Sequence, residues 1–396
     1  MFLCRVRNPK VLLKTTMKKI WSLLVLILMV FFSCKESSTK KEAQKPLSNQ
    51  VSHAQGFSID HRETFTVITV TDPWPNAQKS FSYAFVPKDV TLPVSIDSTK
   101  FDAVISTPVA HLVVTSTTHI PALEALDGLG ALKGFPDTKY ISSMPARQLI
   151  SKNKIKELGN NENLNTELVL EMQPEAIVGF AINNDNSTYH LLQKAGIPVL
   201  FNGDWTERTP LGKAEWIKFF GVLLGQEKKA DSIFNTIAND YNKIKDLAAK
   251  ASKKPQVLSG ALYKDVWYAP AGNSWAAKFL ADANADYLWA NTNGTGSLSL
   301  SLESALDQGK QTDFWISPAQ FTSYKDMEAA NKHYAQFKAY KTKQVYSFAK
   351  TVGPTGGMLY YELAPQRPDL VLKDLVHILH PELLPNYEPY FFRPLE

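Results

Sequence analysis

Two carboxylates stand at matching places in two copies of one plan. Glu167 opens Thr166-Glu167-Leu168-Val169-Leu170-Glu171-Met172, followed by Gln173-Pro174-Glu175 and the apolar run Ala176-Ile177-Val178. Glu303 opens Leu302-Glu303-Ser304-Ala305-Leu306, followed by Asp307 to Asp313 and Phe314-Trp315-Ile316. Each copy reads as a Glu-headed helical turn, a break and a buried strand. A single segment of this kind is ordinary, because Glu suits the positive end of a helix. Two of them, separated by a long helical stretch, predict two similar α/β lobes with one exposed acid each. Matched acids on two lobes make a symmetric docking face, and two lobes around a bridge make a cleft.

The second group with usable chemistry is aromatic and loop-borne. Tyr140 follows Gly134-Phe135-Pro136-Asp137, and Trp205 closes Asn202-Gly203-Asp204. Trp267, Tyr268 and Trp275 flank the Pro270–Gly272 turn, and Tyr360 follows Gly356-Gly357. Rings at turns suit a pocket, although Trp and Tyr in loops also simply pack. Thr117, Thr118 and His119 precede Pro121 at a helix start, where an anionic ligand group is favoured. Ordinary capping explains those hydroxyls equally well. Arg147 and Arg208 are the candidates for a cationic contact.

Other chemistries find little support. His377 and His380 are three apart on a helix, but no acid–His cluster accompanies them, and they read as structural. The two cysteines are Cys4 and Cys34; both lie at the N-terminus, so neither thiol catalysis nor Cys-ligated zinc is expected of the domain. Gly309-Lys310-Gln311-Thr312 lacks the upstream glycine of a phosphate loop, and there is no Gly-x-Ser-x-Gly elbow. Residues 1–33 hold Arg5, Arg7, Lys10, Lys14, Lys18 and Lys19 and no acid. The formal net charge of +5 therefore leaves −1 on the rest of the chain, and nothing argues for nucleic acid.

The N-terminus reads as an export signal. Met17-Lys18-Lys19 is a basic start, with Met17 an alternative first residue, and Ile20 to Phe32 is apolar except for Ser22. That run is short for a membrane span. Ser33-Cys34 follows and resembles a bacterial lipoprotein cleavage site, with Cys34 the lipidated residue and Phe31-Phe32 bulkier than usual there. The expected organisation is a signal peptide over 1–33, a flexible lipidated tether over 34–56 and a strand hairpin over 57–100. An N-terminal lobe follows over 101–210, a helical segment with the inter-lobe bridge over 211–252, and a C-terminal lobe over 253–396. The elements that position the site follow from periodicity. Thr64 to Val70 alternates as a strand. Strand–helix–strand alternation from His111 to Phe201 predicts a mainly parallel sheet. Ala230, Ile233, Phe234, Ile237, Tyr241, Ile244, Leu247 and Ala248 fit a helical stripe. The helix expected from about Gln226 to Ala251 spans roughly 40 Å at 1.5 Å per residue.

These segments together resemble the substrate-binding lipoproteins of ABC importers for iron chelates (siderophores, haem) and cobalamin. The residues that carry the resemblance are the Thr115-to-Pro121 helix start with Leu126 to Gly134, and Leu158-Gly159-Asn160-Asn161 with Asn165-Thr166-Glu167. Gln173 to Val178, Gly196-Ile197-Pro198-Val199, the central helix and Leu300-Ser301-Leu302-Glu303 complete it, within roughly Phe101 to Pro381. The resemblance implies two α/β lobes with mainly parallel sheets, joined by one long rigid helix, with the ligand in the cleft between. It implies that Glu167 and Glu303 pair with Arg on the membrane permease, where exposed acids set register and association rate. ATP hydrolysis then belongs to separate ATPase subunits, and the chain is a monomeric binder, not an enzyme, exported and lipid-anchored facing the periplasm. The cargo is a ferric siderophore, haem or cobalamin, whose flat faces suit Thr118, His119, Tyr140, Trp205, Trp267, Tyr268, Trp275 and Tyr360. A chelated iron arrives with its coordination shell filled, so no resident cofactor or metal ligand is implied. Haem- or metal-ion transport and a surface scaffold are the alternatives.

Overall fold

The computed structural model describes residues 51–89, 96–161 and 163–396. The signal peptide, the lipid attachment at Cys34 and residues 34–50 of the expected tether lie outside the described residues.

Four strands form the first sheet: β1 (Phe57–His61), β2 (Thr66–Val70), β3 (Phe81–Pro87) and β4 (Ala103–Thr107), in that spatial order. The first two pairings are antiparallel and β3–β4 is parallel. The alternation of β2 places Ile68 opposite Tyr83 and Val70 opposite Phe81, all buried. The sheet is wider than the expected hairpin, and its fourth strand lies past residue 100, so the expected boundary there cuts through it. Tyr83 fastens the sheet to the next lobe: its hydroxyl accepts from the Phe201 N–H at 2.9 Å.

Residues 51–56 belong to this folded body, which corrects the tether boundary at residue 56. The N–H groups of Ser52, His53 and Ala54 donate to the Glu215 carboxylate at 2.9, 2.6 and 2.8 Å. Those of Gln55 and Gly56 donate to Glu207 at 2.9 and 2.8 Å.

The first lobe runs β5 (Leu112–Val114), α1 (His119–Ala125), β6 (Leu132–Phe135), α2 (Met144–Ser151), β7 (Lys156–Glu157), α3 (Thr166–Met172), β8 (Ala176–Gly179), α4 (Ser187–Lys194) and β9 (Val199–Phe201). All five strands are parallel, in the order β7-β6-β5-β8-β9. β5, β8 and β9 are buried along their whole length, as a sheet covered on both faces requires.

Three helices follow: α5 (Pro210–Glu215), α6 (Ile217–Leu223) and α7 (Glu227–Ala248). Within the helical segment expected over 211–252, a break at Trp216 separates α5 from α6, and Gly225 turns the chain with a φ of 64° before α7. The 22 residues of α7 make a rod of about 33 Å, with Ala230, Phe234, Ile237 and Tyr241 buried along one side.

The second lobe contains β10 (Gln256–Ser259), β11 (Ala261–Tyr263), β12 (Val266–Pro270), α8 (Trp275–Asp282), β13 (Asp286–Tyr287), β14 (Ser297–Leu300), α9 (Leu302–Gly309) and β15 (Phe314–Ile316). It continues through α10 (Tyr324–Ala330), α11 (Lys338–Lys341), β16 (Val345–Ser347), α12 (Leu359–Leu363), α13 (Pro368–Leu379) and β17 (Arg393–Pro394). Its main sheet has the order β13-β10-β15-β16-β17, parallel except for the last pair. β11, β12 and β14 make a separate antiparallel sheet. The bridge α7 packs on α6 at one side and on α13 at the other, and the Tyr241 hydroxyl donates to Asp282 of α8 at 2.8 Å.

The C-terminal segment around Phe391-Phe392 is held by one buried carboxylate. Asp374 accepts from the N–H groups of Tyr390, Phe391 and Phe392 at 2.8, 2.6 and 3.0 Å. The Tyr387 hydroxyl donates to it as well, at 2.7 Å.

Candidate functional site

The two lobes repeat one topology around their first strands. In the first lobe β5 has β8 beside it, and in the second β10 has β15 beside it. Strand order changes direction at both places, and loops leaving the carboxyl ends of such strands form crevices. Thr115 follows β5 and Phe180 follows β8; both line a cavity of about 290 Å³. Ser259 ends β10, Gly260 follows it and Ser317 follows β15; all three line a second cavity of about 750 Å³. Tyr361 of α12 borders both, so the two cavities are the two sides of one inter-lobe cleft. A separate cavity of about 770 Å³ borders α1, α2, α7 and α13. Loops beyond β6 and β16 reach it through Ser142, Ser143 and Val352 to Pro354, but the ends of β5, β8, β10 and β15 do not line it.

Four of the eight expected ligand residues are in the lining. Tyr140, half exposed, lies on the first-lobe side with Ser116, Thr117 and Asn161. Tyr268, Trp275 and Tyr360 lie on the second-lobe side. Trp275 and Tyr360 face each other at 5.9 Å, and Phe348 stacks on Tyr360 at 4.3 Å and 13°. Behind Trp275, at 5.1 Å from its ring, sits the Lys213 ammonium. Lys213 donates to the carbonyls of Asp204 and Trp205, both at 2.9 Å, and burial pushes its pKa down to about 8.

The other four are placed elsewhere. His119 is fully buried against Phe220, at 5.4 Å between rings, with neither ring nitrogen hydrogen-bonded. Burial pushes its pKa down to about 4, only partly opposed by Asp204. Its place at the start of α1 turns it inward, which overturns the ligand reading. Trp267 is likewise core. Alternation along β12 sends it to the inner face, where it stacks on Trp315 at 5.3 Å and donates from Nε1 to Ser259 O at 3.1 Å. The same alternation turns Tyr268 outward. Thr118 lies just behind the lining, its hydroxyl on that of Ser116 at 2.9 Å. Trp205 supports Phe180 from behind, at 5.8 Å, and its Nε1 donates to Ala181 O. Of the cationic candidates, Arg147 donates to Thr138 O at 2.6 Å and Arg208 is exposed; neither is in the lining. Residues that sequence reasoning missed include Tyr361, Phe180 and Phe321. Their signal was position: each follows a strand end or neighbours a chosen ring.

Glu167 and Glu303 occupy the same register. Asn165 caps α3 by accepting from Leu168 N–H at 3.0 Å, and Ser301 caps α9 by accepting from Ser304 N–H at 3.1 Å. Each Glu is the second residue past its cap, and each is exposed. In such crossovers the helix runs against the strand it precedes. Both N-termini therefore lie at the strand-carboxyl edge of their sheets, the edge that holds the cleft. The Glu303 carboxyl is held below its ordinary value by its own backbone N–H and the Ser301 hydroxyl.

His377 and His380 are each engaged with a backbone carbonyl, of Leu384 at 2.8 Å and Ala283 at 3.0 Å. Among the described residues no group of three or more His, Cys, Asp and Glu could hold a metal ion.

Residues 112–351 match the model of a family described as periplasmic binding protein. An uncharacterized lipoprotein of Methanocaldococcus jannaschii is 27% identical over 300 residues, covering 73% of this chain and 69% of its own. The fold is shared with a possible iron-binding (periplasmic solute-binding) protein of Staphylococcus epidermidis. Its TM-score is 0.53 at 18% identity, over 69% of this chain and 100% of that one. It is also shared with a periplasmic heme binding protein of Pseudomonas aeruginosa, with a TM-score of 0.55 at 17% identity, over 73% and 98%. With a two-lobed α/β architecture, a bridging helix and a match over more than half its length, the chain belongs to the periplasmic binding protein family, a family of solute binders and not of enzymes.

Proposed function

We propose that this chain captures a ferric chelate or cobalamin between its lobes and delivers it to an ABC importer permease. The observation that carries the reading is the aromatic cleft at two equivalent strand switch points, together with Glu167 and Glu303 in equivalent positions at the starts of α3 and α9. The rings supply contact area for a large ligand, and the rigid lobes hold the two acids at a fixed separation. Relatives titled as a lipoprotein, as iron-binding and as heme-binding support the same reading. In it the chain is exported and held to a membrane through Cys34, and the permease presents cations to the two acids.

The test is the double variant Glu167→Ala with Glu303→Ala. Both side chains are exposed, so folding and ligand affinity should be unchanged while uptake in cells is lost. Normal uptake by the double variant refutes the docking role. For the anchor, a Cys34→Ala chain should lose incorporation of labelled palmitate.

A further inference from the structure

The charge of the cleft narrows its ligand, given that the cleft is the capture site proposed above. Among the described residues the lining carries one charged side chain, Asp137, and it is paired with Lys139 at 3.1 Å. The rest is rings, hydroxyls, amides, backbone and aliphatic or thioether groups such as Leu262, Pro270 and Met358. The neighbouring cations are each accounted for. Lys213 is behind Trp275 and committed to two carbonyls, with the acids Asp204 and Glu207 close by. Lys264 stands exposed at the rim, 5.6 Å from the ring of Tyr263, where water and salt screen it. Burial raises the pKa of the Tyr360 phenol, so it adds no charge. The cleft is therefore an electrically neutral, aromatic cavity.

We infer that the cargo is an uncharged complex, held by ring contacts and by neutral hydrogen-bond donors and acceptors. Three hydroxamates neutralise one ferric ion exactly as their charges add, and cobalamin has no net charge. Three catecholates leave a ferric ion with three negative charges, and haemin brings two carboxylates. Moving such an anion into this cavity strips its water and returns no opposite charge. Tyr268, Trp275 and Tyr361 still offer faces to a neutral ligand, while Ser116, Asn161 and Gln320 offer hydrogen bonds to its periphery.

The experiment is calorimetric titration of the full chain in detergent with a ferric trihydroxamate, cyanocobalamin, a ferric tris-catecholate and haemin. At least one uncharged complex should bind about a hundredfold more tightly than either anionic one. A Gln320→Arg variant places a cation in the lining and should improve binding of the tris-catecholate by about tenfold. An anionic complex bound as tightly as the neutral ones by the unaltered chain overturns the inference and leaves chelate capture standing. Discrimination that Gln320→Arg leaves unmoved removes charge as its cause. Binding of none of the four overturns chelate capture itself.

Discussion

Glu362 of the second lobe accepts a hydrogen bond from the backbone N–H of Ser142 in the first, at 2.5 Å, and is 2% exposed. Its other oxygen takes the Ser143 N–H at 2.9 Å, at the cap of α2. Two further bonds cross the same seam: Ser142 Oγ to Gly357 O at 3.2 Å and Thr355 Oγ1 to Lys139 O at 2.6 Å. Gly357 lies so close that a Cβ there would be 2.5 Å from Tyr140 O. Burial raises the Glu362 carboxyl above its ordinary value although both amides oppose this.

This clasp predicts how the lobes respond to Glu362. Glu362→Ala leaves the buried Ser142 amide and the half-buried Ser143 amide without acceptors and should cost about 1–3 kcal/mol for the first and less for the second in urea unfolding. Glu362→Gln keeps one acceptor oxygen and removes the buried charge, so its loss should be clearly smaller. Ligand binding to the unaltered chain should change the radius of gyration little, because the clasp and α7 both resist opening. A large change in small-angle scattering would refute that stiffness.

Trp267 and Tyr268 are adjacent in the chain and should fail in different ways. Trp267→Ala empties a fully buried site against Trp315 and should cost about 3–5 kcal/mol of stability. Tyr268→Ala removes an exposed cleft ring and should leave the unfolding midpoint nearly unchanged while weakening ligand binding about tenfold. Thermal melts and titrations on the two variants distinguish them.

Glu175 links the first sheet to the first lobe and predicts an acid response. Burial pushes its carboxyl up. The Lys88 ammonium at 2.7 Å and the N–H groups of Ala110 and His111 outweigh that and hold the pKa at about 2, below the ordinary 4.5. A depressed folded pKa stabilises above the unfolded value and is lost as pH falls through the folded one. The stability difference between the unaltered chain and Glu175→Gln should thus be full above pH 4.5 and shrink toward pH 2. A difference independent of pH across that window would exclude the carboxylate as its source.

The segment 51–56 should count as structure. A chain beginning at Phe57 removes five N–H donors from Glu207 and Glu215, of which Glu215 is fully buried. It should unfold at a lower urea midpoint than a chain beginning at Leu47, corresponding to a loss of about 3–5 kcal/mol of stability. Equal midpoints would show that other groups or water replace those donors.

Local pattern alone settled a good part of this protein. The repeated plan put Glu167 and Glu303 in the first turns of two matching helices, because helix and strand signals are short-range. Apolar periodicity found α7, and strand–helix alternation found the parallel sheets. What it could not settle was which way a ring points relative to a distant lobe. Trp267 and Tyr268 sit in the same turn-rich sequence, and only the register of β12 against β11 and β14 decides that one is core and the other cleft. His119 looks like a cap residue until α1 packs on α6 and buries it. The Glu362 clasp joins residues more than 200 positions apart. Such contacts leave no periodic trace, because they exist only once the two lobes have closed around the helix between them.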